Sequence, residues 1–256
     1  MNRRLILQIK FGGLGDHLFF SHLPRIAKQF GECAGVYISN QSCFRSPEYK
    51  ELIWKLNPFV DGFVDEPGKD VDAKPADPTQ NLLDAIMLAH DLDDGHRFHE
   101  PELYYRPSPQ SKFADKSLYD PNYVSFVGFI SVRHVQQWFR VNSVLPDFQM
   151  AVRDKSLPLA GVSKIVRSTS LRDFCDIVTS AGTLFCLGSG TATLAAALGM
   201  PATVFYGNGY NKTLFCHSRR HRYVYLHNSF PLPKKALFYW RKVLERAKAA
   251  YSNTRD

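Results

Sequence analysis

Two glycine-rich junctions carry the residue types that could do chemistry. In Phe11-Gly12-Gly13-Leu14-Gly15-Asp16 an acid stands at the head of a helix-periodic segment. A carboxylate there can cap the helix by accepting an amide hydrogen bond. It can also serve as a general base, held ionised by the helix terminus and exposed at the strand ends. In Cys186-Leu187-Gly188-Ser189-Gly190-Thr191 small residues end a buried apolar run and open a second helix. First-turn N–H groups have no internal partners and carry the positive end of the helix dipole, so that turn suits a phosphate or diphosphate. Ser189 and Thr191 could add hydroxyl donors. The bland alternatives are a capping acid in the first turn and a tight helix–sheet packing turn in the second. The first turn is not a dinucleotide fingerprint, because Gly-Gly-x-Gly-Asp lacks the G-x-G-x-x-G spacing.

These turns need strands before them and helices after them. Leu5–Ile9 reads as a buried parallel strand, and His17 to Phe30 has helical periodicity. Gly35–Ser39 and Phe59–Val64 read as strands around a short helix at Pro47–Leu56. Residues 65 to 80 read as a loop, Gln80–His90 as a helix, and Asp91 to Pro121 as a linker or acceptor-binding loop. The apolar run Tyr123–Val132 predicts a strong strand and Val162–Val166 a weaker one. Ser170-x-x-Asp173 is a capping box opening a helix that stops near Ala181-Gly182. Thr183–Leu187, Ala202–Tyr206 and Arg222–Leu226 read as strands, with a helix at Ala192–Leu198. Strand, glycine turn, helix, strand, twice over, is the pattern of an α/β fold in two halves, near 1–115 and 120–230.

The chain of 256 residues has formal net charge +8. From Arg219 onward ten basic residues face two acidic ones, so that tail carries the whole excess and the first 218 residues are formally neutral. Lys235 to Tyr251 reads as an amphipathic helix with Ala236, Trp240, Val243, Leu244, Ala247 and Tyr251 on one stripe. It packs as a terminal helix or also touches an anionic membrane surface. No recognised nucleic-acid module accompanies the charge, so no nucleic-acid partner is expected. No window is long and apolar enough for a membrane span. Five scattered cysteines without a C-x-x-C pair suit free thiols in a reducing cytoplasm. His96-x-x-His99 lacks a second ligand pair. Asp70-Val71-Asp72 and Asp91-Leu92-Asp93 spell D-x-D outside the end of a buried strand. No metal site is therefore expected. Tyr104, Tyr105 and Phe113 could stack on a sugar, but core packing explains them as well.

Leu14-Gly15-Asp16-His17-Leu18 with Pro24 six residues on resembles the amino-terminal motif of glycosyltransferase family 9, the lipopolysaccharide heptosyltransferases. Residues 170–207 are similar to that family's donor-binding segment. The resemblance implies a GT-B architecture of two Rossmann-like domains facing a cleft: an acceptor domain at 1–118, a nucleotide-sugar domain at 119–232 and a basic helix at 233–256. It implies an inverting, metal-independent sugar transfer that needs no cofactor. The donor would be a nucleotide-sugar, and the acceptor a glycan or glycolipid of bacterial surface polysaccharide type. The family acid maps onto Asp16 as base, and the diphosphate turn onto Ser189, Gly190 and Thr191. Gly188, Thr193 and Asn208 fall beside it on the donor side, and Gly12, Gly13, Gly15 and His17 on the acceptor side of the loop. The chain departs from the motif in three places. The acid before Ser-Gly is Gly188, the histidine after it is Thr193, and Lys-x-Trp falls on Gln136-Gln137-Trp138. Arg133 or Arg140 would then supply the cation. The second half also reads one β-α unit short. The reading from a different class is a nucleotide- or phosphosugar-binding module without transfer activity, a partner subunit of a glycan-assembly enzyme. Either would work in the cytoplasm, with the inner membrane face open as a place of action.

Overall fold

Leu5 and Leu7 are buried in β1 (Arg3–Leu7), as are Val36 and Ile38 in β2 (Cys33–Ser39). With β3 (Gly62–Val64) they form a three-stranded parallel sheet in the order β1-β2-β3. The computed structural model describes residues 3–69, 71, 73, 80–124, 126–213 and 215–227. The expected basic helix at Lys235–Tyr251 lies outside them, as do Asp70 and Asp72. Helix α1 (Leu14–Phe20) follows β1 and passes into α2 (Leu23–Gln29), whose Pro24 sits in the first turn, where a missing N–H does no harm. The short α3 (Pro47–Tyr49), capped by Ser46, runs into a π-helical turn at Lys50–Lys55 that buries Leu52, Ile53 and Trp54. Helix α4 (Leu82–Ala89) opens on a reciprocal Asn81–Asp84 capping box.

A second, six-stranded parallel sheet contains β4 (Ser117–Asp120), β5 (Phe148–Met150), β6 (Ile165–Val166), β7 (Thr183–Leu187), β8 (Ala202–Gly207) and β9 (Arg222–Leu226). Their order is β6-β5-β4-β7-β8-β9. Helices α5 (Val132–Val141), α6 (Leu171–Ser180) and α7 (Gly190–Ala197) complete the described helices. Side-chain alternation puts Leu118, Leu184, Cys186 and Val204 on one face, in a core continuous with the first sheet. Tyr119, Phe185, Leu187 and Phe205 point to the other face, where Val135 and Phe139 of α5 cover them. A parallel sheet buried on both faces needs this double set of apolar residues. The residues through Leu226 form one compact unit with two sheets, the mixed α/β architecture expected from the two glycine turns.

One strong expectation fails. Tyr123–Val132 is not a strand; the strand lies earlier, at Ser117–Asp120. The apolar run instead crosses the end of β8, where Gly207 N–H donates to Val127 O and Phe129 N–H to Asn208 O. Val127 and Phe129 are buried there, which accounts for their hydrophobicity without a ladder. Gly128 has φ of 91°, and a Cβ on it would lie 2.3 Å from Gly207 O, so only glycine fits the crossing. The unit that the second half seemed to lack is β4, α5 and β5, drawn from the expected linker and the polar stretch after it.

Buried polar groups tie the loop after α4 to the second half. Asp84 accepts hydrogen bonds from the amides of Asn81, Phe98 and His99, and one oxygen lies 2.6 Å from His99 Nδ1. His99 Nε2 faces Asp94 at 3.1 Å. Asn81 Nδ2 donates to His99 O and Cys216 O, and Ser218 Oγ donates to Glu100. Burial by itself would lower the His99 pKa, but the bonds to Asp84 and Asp94 override it and raise it. A histidine whose folded pKa is raised stabilises the fold fully below its unfolded value of about 6.5. That stabilisation is lost as pH rises through the folded value. Denaturant titrations should therefore show stability falling as pH rises from about 6.5 through the raised folded pKa of His99. His99→Ala, which leaves two buried acids unpaired, should destabilise by roughly 3–5 kcal/mol and flatten that dependence.

Candidate functional site

In an open parallel sheet, ligands bind beyond the carboxyl ends of the strands where the winding reverses direction. Here the chain passes β4→β5→β6 outward, then returns to β7 on the other side of β4. The reversal lies between Asp120, ending β4, and Gly188, following β7. A cavity of about 1300 Å³ opens there, lined on one side by Gly13, Gly15 and Asp16 and on the other by Asp120, Gly188, Ser189 and Gly190.

The two helix starts almost touch. A methyl on Gly15 would sit 3.5 Å from Gly190 Cα, and one on Gly190 would sit 3.4 Å from Gly15 N. The N–H groups of Gly190 and Thr191 have no hydrogen-bond partner among the described residues. Ser189, the N-cap of α7, makes no side-chain cap bond, and its Oγ is buried without a partner. Two free amides and an unsatisfied hydroxyl on a cavity wall make a corner whose chemistry suits an anion.

Asp16 faces the same cavity. Its Oδ2 accepts the Gly13 N–H at 2.9 Å, so it also closes the cap of α1. Burial pushes its carboxyl above the ordinary value, while the Gly13 amide and Arg45 pull the other way. The helix terminus therefore does not hold the acid at a low pKa as expected; desolvation wins and makes it a stronger base.

Other expected residues fall elsewhere. Thr191 donates its hydroxyl to the buried Asp120 and offers the cavity only its amide. Thr193 does line the cavity, but it is buried and its hydroxyl lies 3.5 Å from Ser189 O. His17 is fully buried: Nε2 donates to Cys43 O at 2.9 Å and Nδ1 accepts from Trp54 Nε1 at 3.0 Å. Burial lowers its pKa to about 4, so it is a neutral brace for the 43–45 loop and not a cavity residue. Gly12 is packed against Cys43 and Arg45 behind the wall. Asn208 is exposed and outside the lining; Gly209, Tyr210 and Asn211 line the cavity instead. Arg133 and Arg140 are exposed on α5, because Val135 and Phe139 take the inward face of that helix. Trp138 joins Phe139 against Phe185 and Phe205.

The cations at the cavity are Arg45 and Arg153, with Lys10 and Lys155 also in the lining. Arg153 was not singled out because β5, which delivers it, reads as polar loop. Asp120 was also missed. It accepts from Thr191 Oγ1 and from both the amide and Nδ2 of Asn122, and burial pushes its carboxyl up against those bonds. A smaller cavity of about 180 Å³ adjoins the first across Asp120, Asn122 and Arg153 and is lined by Met150, Val166 and Phe174. His96-x-x-His99 is no ligand pair, since both ring nitrogens of His99 face carboxylates. Asp91 and Asp93 pair with Lys69 and Arg97.

Neither the family models nor the curated protein sequences give a match. Solved structures do. A family 9 glycosyltransferase of Veillonella parvula superposes with a TM-score of 0.60 at 9% identity, covering 89% of this chain and 87% of that one. Heptosyltransferase II of E. coli, described as an ADP-heptose lipopolysaccharide enzyme, gives 0.59 at 11% identity over 86% and 90%. The fold is that of the family 9 glycosyltransferases. The dodecameric TibC of enterotoxigenic E. coli gives 0.59 at 14% identity, and this chain spans 62% of its length. TibC is described as iron-containing. Among the described residues here, no three His, Cys, Asp or Glu side chains are grouped to hold a metal. Nor is any described helix long and apolar enough to cross a membrane.

The Asp120–Thr191 bond gives a direct check on this corner. Thr191→Val keeps the shape but leaves a buried carboxyl short of a donor, so denaturant unfolding should show a loss of about 1–3 kcal/mol. Thr191→Ser should recover most of it.

Proposed function

We propose that the chain is a glycosyltransferase that moves a sugar from a nucleotide-sugar donor to a hydroxyl of a glycan or glycolipid. The observation that carries this reading is the pair of free amides at Gly190 and Thr191 on one cavity wall with Asp16 on the other. The fold supports it, and so do the ligands of its neighbours: TibC was solved with ADP-D-β-D-heptose and E. coli WaaC with ADP. We divide the chain into an acceptor half and a donor half before Ser117, which keeps β4 whole.

In this reading the nucleoside lies in the small cavity over β5 and β6, and the diphosphate sits on the entrance of α7. Asp16 takes the proton of the acceptor hydroxyl as its oxygen bonds to the anomeric carbon. The bond from that carbon to the diphosphate oxygen breaks, and the electron pair leaves with the phosphate. The Gly190 and Thr191 amides and the Arg153 guanidinium meet the growing charge. One such preorganised donor is worth about 3–4 kcal/mol in comparable sites. Attack from the Asp16 side, opposite the leaving group, gives inversion. No step is routed through a metal.

The base assignment has a sharp test. Asp16→Asn should lower kcat by at least about 100-fold while binding of nucleoside diphosphates stays unchanged. In the wild type kcat/KM should fall as pH drops through the Asp16 pKa, at a pH above the ordinary aspartate range, because burial raises it. Turnover near wild type in the variant would remove Asp16 from the mechanism. Nucleotide-sugar binding with no transfer to any glycan or glycolipid acceptor would favour a non-catalytic binding module.

A further inference from the structure

We propose that Tyr210 determines donor specificity: its phenol hydroxyl contacts the sugar of the nucleotide-sugar. This rests on the donor site proposed above and names the residue that reads the part of the donor beyond its diphosphate. Tyr210 follows β8, its N–H donating to Gly207 O at 3.2 Å, and its ring lies 5.1 Å from Phe215 and 5.5 Å from Tyr206. The ring covers Gly188. A Cβ at position 188 would lie 2.7 Å from both Cζ and Oη of Tyr210, so the glycine and the tyrosine occupy one place between them. The strand end that precedes the anion corner thus has no side chain of its own, and the phenol stands there instead.

Three observations make this hydroxyl available to a ligand. Tyr210 lines the large cavity. No described residue forms a hydrogen bond with its Oη. Burial raises the phenol pKa, so the group keeps its proton and can both donate and accept. The hydroxyl of Thr191 goes to Asp120, which leaves Ser189 Oγ and Tyr210 Oη as the free side-chain hydroxyls beside the α7 entrance.

Sheet order says which part of the donor Tyr210 meets. The small cavity lies on the β4–β5–β6 side of β7 and the anion corner at the end of β7 itself. Tyr210 stands on the β8 side, the opposite flank. A donor with its nucleoside in the small cavity and its diphosphate on α7 therefore brings its sugar to Tyr210, in the cavity that Asp16 also lines. A neutral hydroxyl at that point forms one hydrogen bond to a sugar hydroxyl and adds no charge beside the diphosphate.

The test compares binding of ADP, UDP and GDP with binding of ADP-glucose, UDP-glucose and GDP-mannose by calorimetry on the full chain. Tyr210→Phe removes only the oxygen, leaves no buried group unpaired and should keep the wild-type melting temperature. It should weaken the sugar conjugate that the wild type prefers by roughly three- to tenfold and leave the matching bare diphosphate unchanged. Gly188→Ala, which forces the far end of the ring aside, should give the same selective loss and add little on top of Tyr210→Phe. Equal binding of both ligands by Tyr210→Phe and wild type would overturn the role of Tyr210 and leave the donor site standing. An equal loss of both ligands would do the same, by moving Tyr210 to the diphosphate. A wild type that binds no nucleoside diphosphate at all would overturn the donor site and this inference together.

Discussion

The close approach of Gly15 to Gly190 is the constraint on which the rest of the site depends. Two helix starts, each following a parallel strand, meet so closely that a methyl on either glycine would lie 3.4 to 3.5 Å from the other's backbone. A methyl at either position would already be in van der Waals contact with the facing helix start, so the two starts fit with little room to spare. The meeting also has an electrostatic consequence. Both helices present their positive ends and unpaired amides to the same space. Asp16 answers part of that field by closing back onto Gly13 N–H. The rest is left at Gly190 and Thr191. An anion at that point would offset the field of the two helix starts.

Burial decides which side chains around this contact are reactive. His17 and His217 lie close to the cavity, yet desolvation lowers them to about 4 and about 3, so neither carries charge near neutral pH. The same desolvation raises Asp16, so the carboxylate that caps α1 is more basic than an ordinary aspartate. Asp120 is raised too, but three hydrogen bonds engage its oxygens, which makes it a strut between β4 and α7. Two acids on opposite walls of the cavity thus differ because Asp120 is saturated with donors and Asp16 accepts a single amide.

The parts of this arrangement legible in the sequence are those set by local backbone chemistry. Glycine spacing, the Ser170–Asp173 cap and the short β-branched runs gave both turns, α6, β7 and β8, because each is determined within a few residues. The failures come from tertiary context. Tyr123–Val132 is as apolar as a strand, but its hydrophobicity serves the packing of a crossing segment on the end of β8, and only the positive φ of Gly128 distinguishes the two. β4 and β5 are short and flanked by charge, so they carry no periodic signal; their place is set by pairing with β7. With them went Asp120 and Arg153. Arg133 and Arg140 are the cations nearest in sequence to Gln136, where the family motif has its lysine, but the face that α5 turns outward carries them away from the cavity.

This distribution of constraints also accounts for a shared fold at 9–14% identity. In this chain the arrangement rests on two glycines at one contact, unpaired amides behind one of them and apolar residues on both faces of a parallel sheet. None of these demands names a particular side chain except glycine. The groups around the anion corner are then free to change, provided the space is filled. Here the place beside Gly188 is filled from β8 by Tyr210, and the cations stand on loops from both sheets, at Arg45 and Arg153. Reading this site by the identity of aligned residues would count Gly188 as a loss. Reading it by which atoms reach the cavity counts a hydroxyl supplied from the neighbouring strand. Chemistry at such a corner follows the second count, since a bound ligand responds to the atoms in front of it and not to the strand that carries them.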